Sequence, residues 1–229
     1  MDTKWKETFR LYAQLEEHAK KVQEAETLIA NALGKYKQPY VAFSGGKDST
    51  CMLHLVLKQA PEITVFHWDY GRYMPRDFEA ETIENMKLLG AKNVVLETSD
   101  RYNDLSYNGR VFIPEFFSRI VPQFIAQGYD LAFVGLRRQE SCKRNNRIKA
   151  KRSISQLKEV WPLQEWSYLD VWAYIIANNL PYHHAYDIYG PSVGWEQVRF
   201  TTFFDPEFDK FGCRNLDGYF LWKYRHLAK

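Results

Sequence analysis

The residues best equipped for chemistry are Ser44, Gly45, Gly46, Lys47, Asp48 and Ser49, a string set between a short apolar run and a helical pattern. Gly45 and Gly46 can take backbone angles closed to other residues, which lets main-chain N–H groups approach an oxyanion. A helix that starts immediately afterwards adds its unpaired N–H groups and its positive dipole end. Lys47 supplies a mobile positive charge, Ser44 and Ser49 supply hydroxyls, and Asp48 can orient the loop or help hold a metal ion. An ordinary glycine turn is the bland alternative, and the strand-loop-helix setting argues against it.

A second group lies further along. Between Arg137 and Arg152 stand Arg137, Arg138, Lys143, Arg144, Arg147, Lys149, Lys151 and Arg152 against one acid, Glu140. The formal net charge of the whole chain is only +3, so the clustering carries the information. It reads as a local anion site, with a solvated basic loop or a nucleic-acid patch as alternatives. Cys51, Cys142 and Cys213 are far apart and form no CxxC pair, so neither a disulfide framework nor a zinc or iron–sulfur site is expected. His183 and His184 are placed at the end of a helix and match no metal motif, and a pocket role and simple surface exposure both stay open.

The elements that must position these groups alternate. Tyr40 to Phe43 is a strand, and Asp48 to Gln59 a helix that stops before Pro61. Ile63 to Trp68 is a strand, Arg76 to Leu89 a helix, and Asn93 to Leu96 a strand; Pro114 to Gln127 is a helix and Leu131 to Val134 a strand. Such alternation predicts an α/β fold, a parallel sheet flanked by helices with ligands at the carboxyl ends of the strands. Ser167 is the expected N-cap of a helix from Tyr168 to Asn178, with Asp170 in its first turn. Residues 1–36 carry apolar side chains at helical spacing and are expected to form an amphipathic helix, for packing or for a homodimer. Residues 37–189 form the nucleotide-binding domain, and residues 190–229 read as an irregular, aromatic-rich tail.

With 229 residues, 45% apolar and 26% charged, the chain has the composition of a globular domain. No apolar stretch approaches the roughly 20 residues needed to span a bilayer, and the start lacks the apolar core of a signal peptide. A cytoplasmic protein without membrane partners is expected.

The string SGGKDS lacks the longer spacer of a Walker A motif. It resembles the PP-loop of the ATP-pyrophosphatase superfamily. FSGGKDSTCMLHL (43–55), HWDYG (67–71), VGLRRQESCKR (134–144) and WPLQEWSYLDVWAYIIANNLPYHHAYD (161–187) together resemble the branch that holds phosphoadenylyl-sulfate (PAPS) reductase, the ATP sulfurylase small subunit and FAD synthetase. The resemblance implies an adenine-nucleotide α-hydrolase-like, Rossmann-like fold. It also implies an adenine and ribose pocket at Trp68, Asp69 and Tyr70, although Thr is common in the family where Tyr70 stands. Arg137 and Arg138 resemble the family's arginine clamp, with Gly135 and Arg144 beside it, and a planar guanidinium suits phosphate or sulfate.

Two chemistries follow from the resemblance. In one, a nucleophile attacks the α-phosphate of ATP and pyrophosphate leaves, with Mg²⁺, Lys47, Asp48, Arg137 and Arg138 serving the reaction. In the other, a thiolate attacks the sulfur of PAPS. The family's reductases carry an ECG[IL]H cysteine motif that is absent here; Cys213, followed by Arg214 and Asn215, is the remaining candidate nucleophile. ATP cleavage or nucleotidyl transfer is therefore the leading expectation. A non-catalytic nucleotide-binding module and a subunit for nucleic-acid sulfur modification, with an unidentified protein or nucleic-acid partner, are the alternatives.

Overall fold

A computed structural model describes residues 1–198 apart from 72, 73, 75, 104–110, 154 and 197. Five strands, β1 (Pro39–Ala42), β2 (Thr64–Trp68), β3 (Asn93–Glu97), β4 (Leu131–Val134) and β5 (Lys158–Val160), form one sheet in the order β3-β2-β1-β4-β5, and every pairing is parallel. The expected α/β architecture is present.

The strands alternate because both faces are covered. Val41, Val65 and Phe133 enter one apolar cluster, while Tyr40, Phe66 and Ala132 enter the other. The first cluster is completed by α1 (Thr3–Ala13), α2 (Glu16–Lys35), α3 (Lys47–Leu57), α4 (Arg76–Leu88) and α8 (Tyr168–Ala177). Helices α5 (Phe112–Glu115) and α6 (Val121–Ala126) cover the second. Between them Phe116–Ile120 winds as a π-turn, and Val121 N–H bonds the Phe116 carbonyl. Pro122 offers no N–H to the normal ladder at this point, which accounts for the wider turn.

Three differences from the sequence reading bear on function. The N-terminal helical segment is divided at Gln14 and Leu15, where Leu15 takes an extended conformation, so that α1 lies on α8 while α2 reaches α3. No residue there is a helix breaker; tertiary packing sets the break. The basic segment is not a loop: Ser141 Oγ accepts from Arg144 N–H at 3.2 Å and starts α7 (Cys142–Lys149). Beyond Pro181 the chain forms α9 (Ala185–Val193), so His183 and His184 open a helix rather than close one. Most of the predicted irregular tail, from residue 199 on, lies outside the described residues.

The capping expectation for α8 is met. Ser167 Oγ accepts from Asp170 N–H at 3.2 Å, and Asp170 Oδ2 accepts from Ser167 N–H at 2.6 Å.

Candidate phosphate site between the first and fourth strands

In the order β3-β2-β1-β4-β5, the connections leaving β1 and β4 diverge to opposite sides of the sheet. The crevice outside their carboxyl ends is where ligands bind in such sheets. Residues 44–49 leave β1 here, and residues 135–140 leave β4 beside them.

The loop is held from within and from behind. Gly45 has a φ of +78°, and a β-carbon there would stand 2.6 Å from the Thr82 side chain, so glycine is required on both counts. Gly46 is the N-cap of α3. Ser49 Oγ donates to the Gly46 carbonyl at 2.8 Å and lies 3.2 Å from Ser44 Oγ. Gly135 permits the second strand end to close on the first: a β-carbon would lie 3.1 Å from the Asp48 carbonyl carbon and from Ser49 N.

Three charged side chains meet beneath the loop and are nearly removed from solvent. Lys47 is 1% exposed, Arg137 4% and Asp48 9%. Arg137 Nε donates to Asp48 Oδ1, and Lys47 Nζ stands 3.7 Å from Asp48 Oδ2. Lys47 Nζ also donates to the Val198 carbonyl at 2.7 Å. Burial disfavours the Asp48 carboxylate, but the Arg137 and Lys47 charges outweigh that and hold its carboxyl below the usual range. Arg144 pairs with Glu140, whose Oε2 accepts the Arg137 backbone N–H at 3.3 Å.

Not every sequence candidate reaches this group. Arg138 turns away and donates to Glu165 at 2.6 Å. Trp68 and Tyr70 are buried in the second apolar cluster, with Trp68 Nε1 donating to Tyr102 Oη at 2.8 Å. Asp69 is clasped by both Arg76 terminal nitrogens at 2.8 Å and accepts from Gly71 N–H at 2.7 Å. Cys51 is fully buried, donates to the Val171 carbonyl at 3.5 Å, and has its thiol pKa pushed well up by burial. Cys142 is exposed at the start of α7, and Cys213 lies outside the described residues.

Sequence reasoning missed the supports of the loop. Tyr186 Oη accepts the Lys47 backbone N–H at 3.0 Å, and its ring lies 5.6 Å from Lys47 Nζ. Thr82 Oγ1, buried beside Gly45, has no hydrogen-bond partner among the described residues. His67 joins the strand end to α4, Nδ1 lying 2.9 Å from the Phe43 carbonyl and Nε2 2.8 Å from Glu79. Burial works against the His67 imidazolium, but the Glu79 carboxylate overrides it and raises the pKa. No local pattern marks Thr82 or Tyr186, because each acts through a packing contact with a distant segment.

Comparison with known proteins bears on the family and the fold. An uncharacterized protein of Methanocaldococcus jannaschii is 32% identical over 179 residues, covering 69% of this chain but only 36% of that protein. This chain therefore spans about a third of that relative. A phosphoadenosine 5'-phosphosulfate reductase of Xylella fastidiosa is 28% identical over 68% of this chain and 70% of its own length. A sulfate adenylyltransferase subunit 2 of the same species is 26% identical over 69% of this chain and 63% of its own.

Among solved structures, the phosphate complex of PAPS reductase from Candida auris superposes with a TM-score of 0.52 at 15% identity, covering 72% of this chain and 84% of that one. The U34-tRNA thiolase NcsA from Methanococcus maripaludis, with its 4Fe–4S cluster, gives 0.51 at 15% identity, covering 71% and 66%. The expectation that no iron–sulfur cluster is held does not stand, since a protein of this fold carries one. Cluster ligands must converge in space, and the wide sequence separation of Cys51, Cys142 and Cys213 says nothing about that.

Among the described residues no helix is long and apolar enough to cross a membrane. The family model for the phosphoadenosine phosphosulfate reductase domain matches residues 38–216, which include the loop, the arginine segment and all five strands. The chain belongs to the phosphoadenosine phosphosulfate reductase domain family.

Proposed function

We propose that the chain is an adenine-nucleotide enzyme that binds ATP with its phosphates on the 44–49 loop and cleaves it between the α- and β-phosphates. The observation that carries this reading is the buried cluster of Lys47, Asp48 and Arg137, with Arg144 and Glu140 behind it. Lys47 and Arg137 stand at the carboxyl ends of the strands beside a glycine-rich loop that opens a helix, a setting in which main-chain N–H groups and cations hold phosphate.

Water forms a bond to the α-phosphorus and loses a proton to solvent while the bond to the bridging oxygen breaks. The electron pair leaves with pyrophosphate. Lys47 and the amino end of α3 face the charge that builds on the leaving group, and Arg137 is placed to hold equatorial oxygens. Lys47 would exchange its neutral Val198 carbonyl partner for an anion, and Arg137 would divide its fork between Asp48 and the ligand.

The relatives named as reductases favour a second reading, thiolate attack on a sulfonucleotide. That route needs a reachable thiol, and the Cys51 thiol is buried. Cys142 is exposed at the start of α7, and Cys213 is the nucleophile that the resemblance offers.

The test is turnover of the purified protein with ATP and with PAPS. AMP and pyrophosphate are expected from ATP, with Lys47→Ala and Arg137→Ala each lowering the rate by about 10²-fold. Sulfite release from PAPS that disappears in Cys213→Ser, with no ATP cleavage, would overturn the proposal in favour of the reductase reading.

A further inference from the structure

Away from the charged group under the loop, three metal-ligating side chains converge. Glu81 stands on α4, and His183 and His184 lie at the entry to α9. One carboxylate oxygen and one ring nitrogen from each histidine all lie within 4.8 Å of one another. His183 Nε2 is 3.1 Å from Glu81 Oε2, and His184 Nδ1 contacts the same oxygen. His184 backbone N–H donates to Glu81 Oε1 at 2.6 Å.

We propose that Glu81, His183 and His184 form a binding site for a divalent transition-metal ion of the zinc class. Two imidazoles and a carboxylate are a ligand set that suits such ions and leaves a position for water or a fourth ligand.

The surroundings prepare the ligands. His183 is fully buried, and its ring centroid lies 4.3 Å from that of Phe78, so its orientation is set before any ion arrives. The Phe78 ring also packs edge-on to His184 at 5.3 Å. Ala185 N–H donates to His183 Nδ1 at 3.1 Å, which fixes the ring with Nε2 turned to Glu81.

Entry is open from one side, since the His184 side chain is 49% exposed. An ion would fasten α4 to α9, the two elements whose Thr82 and Tyr186 support the phosphate loop. The pattern escaped sequence analysis because adjacent histidines and a glutamate about a hundred residues earlier form no motif.

The test is titration of the full chain, after chelator treatment, with Co²⁺ alone followed by displacement with Zn²⁺. One equivalent of Co²⁺ is expected to give the visible absorption of a nitrogen- and oxygen-ligated site. Glu81→Gln and His184→Ala are each expected to weaken binding by about 10-fold or more, while Cys142→Ser leaves it unchanged. Saturating Zn²⁺ should raise the melting temperature of the wild type and not of the variants. His184→Gln substitutes where His184→Ala does not fold, as judged by circular dichroism without metal. Absence of stoichiometric binding, binding that survives both Glu81 and His184 substitution, or binding lost in Cys142→Ser would overturn the proposal. The cluster would then be a hydrogen-bonded brace.

Discussion

Asp48 and Asp170 are both buried carboxylates beside cations, and the difference between them separates the candidate site from a brace. Asp170 is 0% exposed, and its oxygens are shared among groups from three segments. Ser167 N–H and Oγ donate to Oδ2 at 2.6 and 2.7 Å, and Lys21 Nζ donates to Oδ2 at 3.0 Å. Tyr12 Oη and His18 Nδ1 each lie 3.3 Å from Oδ1. The Asp170 oxygens therefore spend their hydrogen-bonding capacity on joining α1 and α2 to α8. Asp48 instead meets Arg137 and Lys47, which stand with it at the carboxyl ends of β1 and β4. Asp170 ties helices to one another, whereas Asp48 ties together two strand ends, the place where ligands bind in such sheets.

The largest effect expected from this comparison is on stability. Asp170→Ala removes the reciprocal half of the α8 capping box and leaves Lys21 and His18 without their buried partner, which should cost about 3–5 kcal/mol. Urea denaturation measures this. Nucleotide affinity of the molecules that remain folded should be unchanged, and a loss of affinity equal to that in Lys47→Ala would erase the distinction between brace and site.

Acid should probe both carboxylates at once. Burial opposes ionisation at each, yet hydrogen bonds from His18 and Ser167 at Asp170, and the Arg137 and Lys47 charges at Asp48, hold the folded-state pKa below the unfolded value near about 4. A depressed carboxyl pKa stabilises the fold above the unfolded value and ceases to do so as pH falls through the folded one. Stability should therefore decline from about pH 5 downward. In Asp170→Asn that decline should be shallower, as read from urea midpoints across the range.

The smallest effect separates two neighbouring arginines. The Arg138 pair with Glu165 is partly exposed, so Arg138→Ala should cost below about 1 kcal/mol of stability. Nucleotide binding should change far less than in Arg137→Ala. Equal losses of binding in the two variants would place Arg138 at the ligand and require it to leave Glu165.

Much of the scaffold was legible beforehand because it rests on local rules. Period-two and helical apolar patterns, with glycine and proline punctuation, placed β1 to β4, α3, α4 and α8 within a residue or two of their observed bounds. Ser167 announced its own cap. The division of α1 from α2 was not legible, since Gln14 and Leu15 carry no breaking signal and the turn follows from docking on α8 and α3. Helix α7 was hidden by its charge: only Ile148 is buried, so it shows little apolar periodicity. Helix α9 contains Pro191 and Gly190, which read as loop residues.

By itself the sequence determined an α/β sheet with a glycine-rich loop at a strand end, because period-two runs alternate with helical ones and two adjacent glycines stand where the first strand gives way to a helix. Only the tertiary structure decided which distant groups complete it. It selected Arg137 over Arg138, brought Thr82 and Tyr186 behind the loop, and set Glu81 against His183 and His184. Local conformation depends on neighbours along the chain, whereas a site depends on which strand ends the sheet order places side by side, and that order is settled by packing.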